Sequence, residues 1–399
     1  MSSPAPAIAL LAVLAAAPAT SGGADALLKV VDDPASSAAA TRQAVQQLGE
    51  RQDARGVPAL IKLLHQPREG RTLEAEAAFA LFQVGRPAAD ALLRVIRRKD
   101  SALVAWGTAN HFGEPELLTE AASVLGDLGD ARAEAPLLDL LRYESPNKGV
   151  ELALRGLAAS TLGRLHSKAA VAPVAAMVTT TNLQARLETM RALVLIGKRQ
   201  ALPALARAAA EGEWQLRKIG MNGFTMVGDD REVPAYQKIL QHEEDVITSD
   251  CRANPKYHGC EDQKKLLAQM LGDVRAYAKR LEAAARCKRD PACWTRRLKD
   301  ADAGVRERAA LELARQRSGE SLEALFAAAG DADAAVRFTA VQGLEWRLAN
   351  DARARAQGAR HLPEIEARLK AGQGAVTEAR LDAPLRRLAF RLRAAGRTP

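Results

Sequence analysis

Four cysteines in two pairs are the residues of this chain whose type and spacing most directly suggest chemistry. Eight residues separate Cys251 from Cys260, and five separate Cys287 from Cys293. Structural zinc sites prefer about two to four residues between cysteines, a spacing that neither pair has. In an exported chain the thiols would oxidise, and among the possible connectivities we predict Cys251 with Cys260 and Cys287 with Cys293. A metal site that also uses His258 is the alternative.

Familiar catalytic motifs are absent from the sequence. It contains no G-x-S-x-G elbow, no Walker or dinucleotide-binding glycine loop and no H-E-x-x-H motif. The histidines are scattered along the chain. We therefore predict no catalytic residue, no cofactor, no metal and no small-molecule substrate, and we expect a non-enzymatic protein.

The beginning of the chain resembles a secretory signal. Ile8 to Ala17 form an uncharged apolar run that is too short to span a bilayer as a helix. Ala17 and Ala19 supply the small residues of a cleavage site. We predict a signal peptide over residues 1–19, cleavage after Ala19 and export to the periplasm or the medium. No Lys or Arg precedes the run, so the alternative is an alanine-rich disordered start on a cytosolic protein.

The composition indicates which elements must position these residues. Of the 399 residues, 48% are hydrophobic but only 4% are aromatic, and alanine and leucine supply most of the hydrophobic fraction. Both favour helices, whereas the β-branched and aromatic residues typical of sheets are sparse. The composition therefore predicts an all-α protein.

An internal repeat of 31 to 36 residues runs through most of the chain. A hydrophobic residue followed by glycine recurs, and after most of these glycines come a short polar turn and an apolar run with an early proline. Glycine tolerates the conformation that ends helices, and proline suits their first turn. Each unit therefore predicts two helices that must stack on neighbouring units to bury their apolar faces. The recurring glycines are Gly49, Gly85, Gly129, Gly163, Gly197 and Gly228.

A second recurring pattern consists of aspartates and arginines. Asp300, Asp302 and Arg306 recur 31 residues later as Asp331, Asp333 and Arg337, and the same shift relates Arg186 to Arg217. An aspartate just before a helix caps its free N–H groups, and an arginine one turn further on can pair with the aspartate of the neighbouring unit. We interpret these residues as a structural ladder, because a catalytic group would not recur in every repeat.

With these D-x-D-x-x-V-R-x-x-A segments and helix-Gly-turn-Pro units, the chain resembles the HEAT-repeat family, in particular the short HEAT-like repeats first associated with phycobilin lyase subunits. The resemblance covers about residues 36–345 and implies an α-solenoid, a superhelix of stacked antiparallel helix pairs. The domain bounds that we predict are repeats 1–6 over 36–241, a cysteine-containing insertion with one helix from Lys264 to Arg286 over 242–293, repeats 7–8 over 294–371, and a basic capping helix over 375–397.

Most of the net charge of +9 lies near the end of the chain, where residues 352–399 carry eleven basic and four acidic side chains. The last segment is amphipathic. Its leucines predict a helix that caps the open end of the array, and the arginines could alternatively attract an anionic lipid, polysaccharide or nucleic acid. The leucines are Leu381, Leu385, Leu388 and Leu392, and the arginines are Arg386, Arg387, Arg391 and Arg393.

An aromatic insertion, Ser101 to Glu116, separates the second and third units. It contains Trp106, His111 and Phe112. Insertions in repeat proteins map to loops that often carry binding groups, so the cluster is a candidate contact surface. The alternative is a divergent helix whose aromatic side chains cover a mismatched joint.

The leading functional prediction is an exported, monomeric scaffold that binds another protein along its concave surface. We expect that surface to be formed mainly by the second helices of the units. One alternative is a binder of anionic polymers or membrane surfaces, and another is a lyase-type or chaperone-like accessory protein. The candidate contact residues are Lys62, His65, Arg94, Arg97, Arg98, Trp106, Asp139, Arg207 and Lys238.

Overall fold

The computed structural model describes residues 22–254, 256, 259–372 and 379–396. The predicted signal peptide and its cleavage site lie outside the described residues, as do His258 and residues 375–378 and 397 of the predicted capping helix. The described residues form α-helices joined by short turns, and no β-strand occurs among them. The fold is an all-α solenoid, as predicted.

An initial helix, α1 (Gly22–Asp32), precedes six helix pairs and one extra helix. In each pair the first helix stacks on the first helices of its neighbours. The pairs are α2 (Ala38–Glu50) with α3 (Val57–Leu63), α4 (Glu74–Val84) with α5 (Arg86–Ile96), α7 (Glu114–Leu128) with α8 (Glu134–Leu140), α9 (Lys148–Arg164) with α10 (Val171–Ala175), α11 (Leu183–Ile196) with α12 (Leu202–Ala210), and α13 (Trp214–Val227) with α14 (Val233–Ala253); the extra helix is α6 (Ser101–Ala109).

The turns within the pairs follow local rules. Gly129 and Gly197 end α7 and α11 with φ angles of 71° and 64°, a left-handed conformation that glycine adopts without a Cβ clash. The turn after α2 is a short 3-10 helix in which the carboxylate of Asp53 accepts a hydrogen bond from the amide of Arg55, and Pro58 then lies in the first turn of α3. Asp130 makes the equivalent contact before α8. These residues determine where each helix begins and ends.

The predicted insertion is part of the stack, and this differs from the sequence analysis. The single helix expected from Lys264 to Arg286 is wrong: α15 (Cys260–Ala276) and α16 (Ala278–Cys287) are separate helices. The expected boundary at 242 also falls inside α14. α15 packs on α14, whereas α16 packs between α13 and the first helix of the next unit, α18 (Ala303–Ala314). One straight helix could not bury apolar side chains in both places.

The remaining helices complete the array. α16 pairs with the short helix α17, which also packs on α19, so this pair extends the stack of first and second helices. α18, α20 and α23 follow as the innermost helices of the last units. The bounds are α17 (Pro291–Arg297), α19 (Gly319–Ala328), α20 (Ala334–Asn350), α21 (Ala352–Gly358), α22 (Leu362–Gly372) and α23 (Ala379–Ala395).

The last helix returns to the beginning of the array. The four leucines of its apolar stripe are buried against α20 to α22, as a capping helix requires. α23 also packs on α4, which lies about 300 residues earlier in the chain. The array therefore closes on itself, with α20 and α23 lying across the first helices of the early units.

Candidate interaction surfaces

The closure is held by a cluster of charged side chains, which we call the closure seam (Asp127, Arg164, Glu345, Arg387 and Arg391). Asp127 at the end of α7 accepts hydrogen bonds from Arg164 Nη1 at 2.5 Å and from Arg387 Nη1 at 2.9 Å. Arg387 Nε also donates to Glu345 Oε1 at 2.6 Å. Multiple charge-assisted hydrogen bonds compensate these side chains for their loss of water.

Arginines of the last units also donate to backbone carbonyls at the ends of first helices. Arg391 Nη2 lies 3.0 Å from the carbonyl of Asp127, and Arg308 Nη1 lies 3.0 Å from that of Thr225. Arg315 donates to the carbonyl of Val194. The last carbonyls of a helix have no partner within the helix and carry its negative dipole end. These three contacts therefore satisfy otherwise unpaired acceptors on α7, α11 and α13.

An aromatic contact flanks the seam. The ring centroids of His166 and Trp346 are 4.2 Å apart. Burial, together with the charge of Arg315, lowers the pKa of His166 to about 3. The imidazole is therefore neutral at physiological pH and packs as an aromatic group.

These contacts identify the concave surface and correct one expectation. The faces of α11 and α13 that point away from their second helices are turned toward α18 and α20. The prediction that second helices form this surface is wrong, because the carbonyl ends that attract the late arginines belong to first helices. The chain covers part of its own concave surface.

The basic character of the last helix is largely neutralised. Arg386 pairs with Asp382, and Arg393 pairs with Glu366. The expectation that an anionic surface could use all four arginines is wrong for Arg387 and Arg391, because both are directed into the seam. Burial lowers the pKa of Arg391 to about 10.

Three of the predicted contact residues lie together near the insertion. The ring of Trp106 on α6 stacks on that of Phe112 with centroids 5.7 Å apart, and the ring centroid of His65, just after α3, lies 5.4 Å from that of Phe112. Lys62 Nζ is 6.0 Å from the Trp106 ring. Burial lowers the pKa of His65 to about 4. The aromatic side chains pack on the core at the joint, as the divergent-helix alternative requires.

The other candidates are exposed on second helices or just after them. Arg94, Arg97 and Arg98 occupy the end of α5 and the residues after it, where Arg98 pairs with Glu114. Asp139, Arg207 and Lys238 lie on α8, α12 and α14, so the structure does not bring them together with the arginines of α5.

Sequence reasoning missed a groove beside this cluster. The groove has a volume of about 280 Å³ and lies between the end of α5, α6 and the beginning of α7. Val104 is 48% exposed, a large fraction for an apolar side chain. The aromatic residues of the insertion do not reveal this groove, because the floor of the groove is formed by leucines of α7. We call it the insertion groove (Val95, Leu103, Val104, Leu117 and Leu118, with Arg98, Asp100 and Glu114 at its rim).

The predicted ladder has two kinds of contact. Asp302 and Asp333 cap the beginnings of α18 and α20 by accepting hydrogen bonds from backbone amides. Arg306 Nε lies 2.8 Å from Asp331 Oδ2 of the next unit. Arg337 Nη1 instead donates to the carbonyl of Asp331 at 2.8 Å. Asp300 accepts from the amide of Asp302.

The two earlier arginines contact the helices that follow theirs: Arg186 reaches the end of α12, and Arg217 reaches the middle of α14. Arg186 Nη2 donates to the carbonyls of Ala208 and Glu211 at 2.8 and 3.0 Å. Arg217 Nε pairs with Glu243 Oε1 at 2.5 Å. In these units the arginines contact a carbonyl or a glutamate, and not the aspartate that the ladder implied.

The cysteines lie in the two predicted pairs. The Cα atoms of Cys251 and Cys260 are 5.4 Å apart, and those of Cys287 and Cys293 are 5.2 Å apart. Within the described ranges, no group of three or more His, Cys, Asp and Glu side chains is arranged to hold a metal ion. None of the described helices has both the length and the apolar character needed to cross a membrane.

Comparison with solved structures yields similar helical arrays of low sequence identity. The alignment with the crystal structure of an engineered protein covers 93% of this chain and 98% of that protein at 16% sequence identity, with a TM-score of 0.31. A structure of Kap95p bound to RanGDP covers 93% of this chain and 51% of its own at 12% identity, with a TM-score of 0.34. A structure describing the interaction between cadherin and beta-catenin covers 94% and 91% at 12% identity, with a TM-score of 0.28. No curated protein matches the chain.

Two separate segments of the sequence match repeat families. Residues 117–143, which include most of α7 and all of α8, match the PBS lyase HEAT-like repeat. Residues 294–377 match the family described as HEAT repeats, and they include α18 to α22. The two matched segments are therefore HEAT repeats, and both are part of the continuous stack of helix pairs.

Proposed function

We propose that this protein is an exported, non-enzymatic HEAT-repeat scaffold that binds a partner protein at the insertion groove. The observation that carries the proposal is the exposure of Val104 beside a deep apolar floor. Buried apolar anchors supply most of the affinity of protein interfaces. A groove of about 280 Å³ has room for one such anchor of the partner.

The charges near the groove indicate the chemistry of the partner. Arg94, Arg97 and Lys99 are exposed on the segment that ends at the groove. Arg98 is matched by Glu114, and Asp100 at the rim offsets one of the other three cations, so the excess charge near the rim is positive. The partner segment should therefore carry an apolar side chain flanked by acidic residues, since complementary charges speed association and reject wrong partners.

The concave surface is a less suitable location, because α20 and α23 cover part of it. The apolar stripe of α23 is already buried within the same chain, which supports a monomeric scaffold. The outer surface near the insertion remains accessible to a partner.

Changing Val104 to glutamate should weaken partner binding, because it places a charge on the apolar anchor site. Tagged protein expressed in its native cell would be cross-linked, and recovery of its partners would be quantified by mass spectrometry. We expect the partner recovered with the unchanged protein to fall by about tenfold or more, equivalent to about 1.4 kcal/mol.

Val246→Glu is the matched control, because Val246 is 47% exposed on α14, far along the array from the groove. It should recover the partner normally. Equal recovery by both variants, or equal loss, would rule out the insertion groove as the binding surface.

The export part of the proposal rests on the apolar run and on the cysteine pairs. In an oxidising compartment the pairs at disulfide distance would be bonded. We expect the mature protein to begin at Thr20 and to contain no free thiol. Sequencing of the N-terminus and thiol titration before and after reduction would check this. An unprocessed chain with four free thiols would contradict export.

A further inference from the structure

The closure encloses a cavity of about 450 Å³ that is separate from the insertion groove. It lies between the inward faces of α11 and α13 and the helices α18, α20 and α23. Arginine contacts at the ends of the first helices hold the two halves together, while the space between the helix faces is left unfilled. Small-molecule pockets in proteins have volumes of about 300–1,000 Å³, so this cavity is of suitable size.

The cavity wall is mainly apolar. Its side chains come from successive turns of α11 and α13 on one side and from α20 on the other. Methionine adapts its shape to irregular ligands and makes favourable contacts with apolar groups. The principal apolar side chains are Leu187, Met190, Val194, Ile219, Met226 and Phe338.

Two amide side chains add a polar spot to this wall. Asn222 Oδ1 accepts a hydrogen bond from Arg280, which leaves the NH₂ group of Asn222 as a donor at the cavity. Gln342 also lines the cavity, and within the described part of the chain neither NH₂ group has a protein partner. Both side chains are only partly buried, so their NH₂ groups remain open to the space of the cavity. A ligand with a hydroxyl or carbonyl group would supply the acceptor.

The two charged residues of the lining are already matched by other side chains. Arg191 pairs with Glu188 at 3.1 Å, and Glu307 lies 3.5 Å from Arg280. Burial raises the pKa of Glu307, because the charged form loses its water. The cavity therefore offers no uncompensated charge to a charged ligand, and burying an unpaired ligand charge there would be unfavourable.

We propose that this cavity binds one uncharged, mostly apolar small molecule that carries a single hydroxyl or carbonyl group, such as a fatty alcohol. The apolar walls hold the hydrocarbon body, and the amides of Asn222 and Gln342 bind the oxygen. The inference goes beyond the proposed protein-binding function and revises the expectation that the chain takes no small molecule.

Binding can be tested with the full-length mature protein and the neutral dye Nile red as the probe. We expect a saturable rise in fluorescence with one dye bound per chain. 1-Dodecanol should displace the dye at a concentration at least about tenfold lower than dodecanoate, because the carboxylate must be buried without a partner. Absence of saturable binding, or equal displacement by the alcohol and the acid, would overturn the proposal.

Two variants locate the binding site. Ala335→Trp places a large side chain at the exposed mouth of the cavity, and Val194→Phe fills its wall. Each should weaken dye binding by about tenfold or more. Ala327→Trp is the matched control, because Ala327 is exposed on α19 outside the cavity. The proposal fails if both cavity variants bind as tightly as the unchanged protein, or if the control loses as much affinity as they do.

Discussion

Replacing Asp127 by alanine should lower the free energy of unfolding by about 2–4 kcal/mol and release α23 from α7. Asp127 is the one acceptor that both Arg164 and Arg387 contact in the closure seam, and its side chain is only 17% exposed. Removing it leaves two guanidinium groups without that partner in a poorly hydrated place. The loss would be measured by urea denaturation, and release of α23 by faster hydrogen exchange of its backbone amides.

The control is Asp139→Ala on α8. Asp139 is also an aspartate near the end of a helix, but it is exposed on the outer surface. Its replacement should change stability by no more than about 0.5 kcal/mol. If both variants behave alike, the seam does not hold the array closed.

A double-mutant cycle would separate the seam from a general loss of charge. Arg387→Ala alone leaves Glu345 and Asp127 with fewer donors, and Asp127→Ala alone leaves Arg387 with one acceptor fewer. The double variant lacks both partners of the contact between Arg387 and Asp127. Because the two residues are in contact, the combined effect should be smaller than the sum of the single effects. Additive effects would contradict a direct coupling between α7 and α23.

The helix pairs could be predicted because local chemistry determines their ends. Gly129 and Gly197 end first helices through a left-handed conformation that few other residues tolerate. Pro58 and Pro203 begin second helices, where a missing N–H has no consequence. Each signal lies within a few residues of its effect, so one sequence is sufficient to detect it.

The seventh helix pair was missed because it has only the second of these signals, Pro291 in the first turn of α17. No hydrophobic-plus-glycine stop separates α16 from α17, and the two cysteine pairs suggested an insertion instead. What makes α16 part of the array is its burial between α13 and α18. That burial depends on packing between helices that are distant in sequence, and the local sequence pattern does not indicate such contacts.

The closure could not be predicted from the sequence for a similar reason. Asp127 and Arg387 are 260 residues apart, and neither is unusual for its own helix. The leucine stripe of α23 correctly predicted a buried face, but it did not indicate that arginines on an adjacent face would reach α7. The cavity and the concave surface both result from this closure, so sequence reasoning expected neither in its observed form.

Replacing Gly220 by alanine should destabilise the protein by about 2 kcal/mol or more, although alanine favours helices. Gly220 lies inside α13, where a Cβ atom would approach the backbone carbon and oxygen of Ala208 to 2.3 and 2.4 Å. Real Cβ contacts are never this short, so α12 would have to move away from α13. Overpacking costs about 1–3 kcal/mol, and more when backbone must shift, whereas the gain in helix propensity is only about 1 kcal/mol.

The movement would also affect a second interaction. The carbonyl of Ala208 accepts a hydrogen bond from the buried Arg186 at 2.8 Å, so displacing α12 would weaken the contact that pins its end to α11. Urea denaturation would give the change in stability, and hydrogen exchange in α12 would show whether that helix loosens first. A normal α12 in the variant would contradict the close approach.

Gly272→Ala provides the opposite expectation from the same substitution. Gly272 lies within α15, and nothing in the protein is within 4 Å of a Cβ atom placed there. Helix propensity then acts alone, and the variant should be more stable by about 0.5–1 kcal/mol. The two glycines therefore separate propensity from packing: if Gly220→Ala also stabilises the protein, the close contact between α12 and α13 is not present in solution.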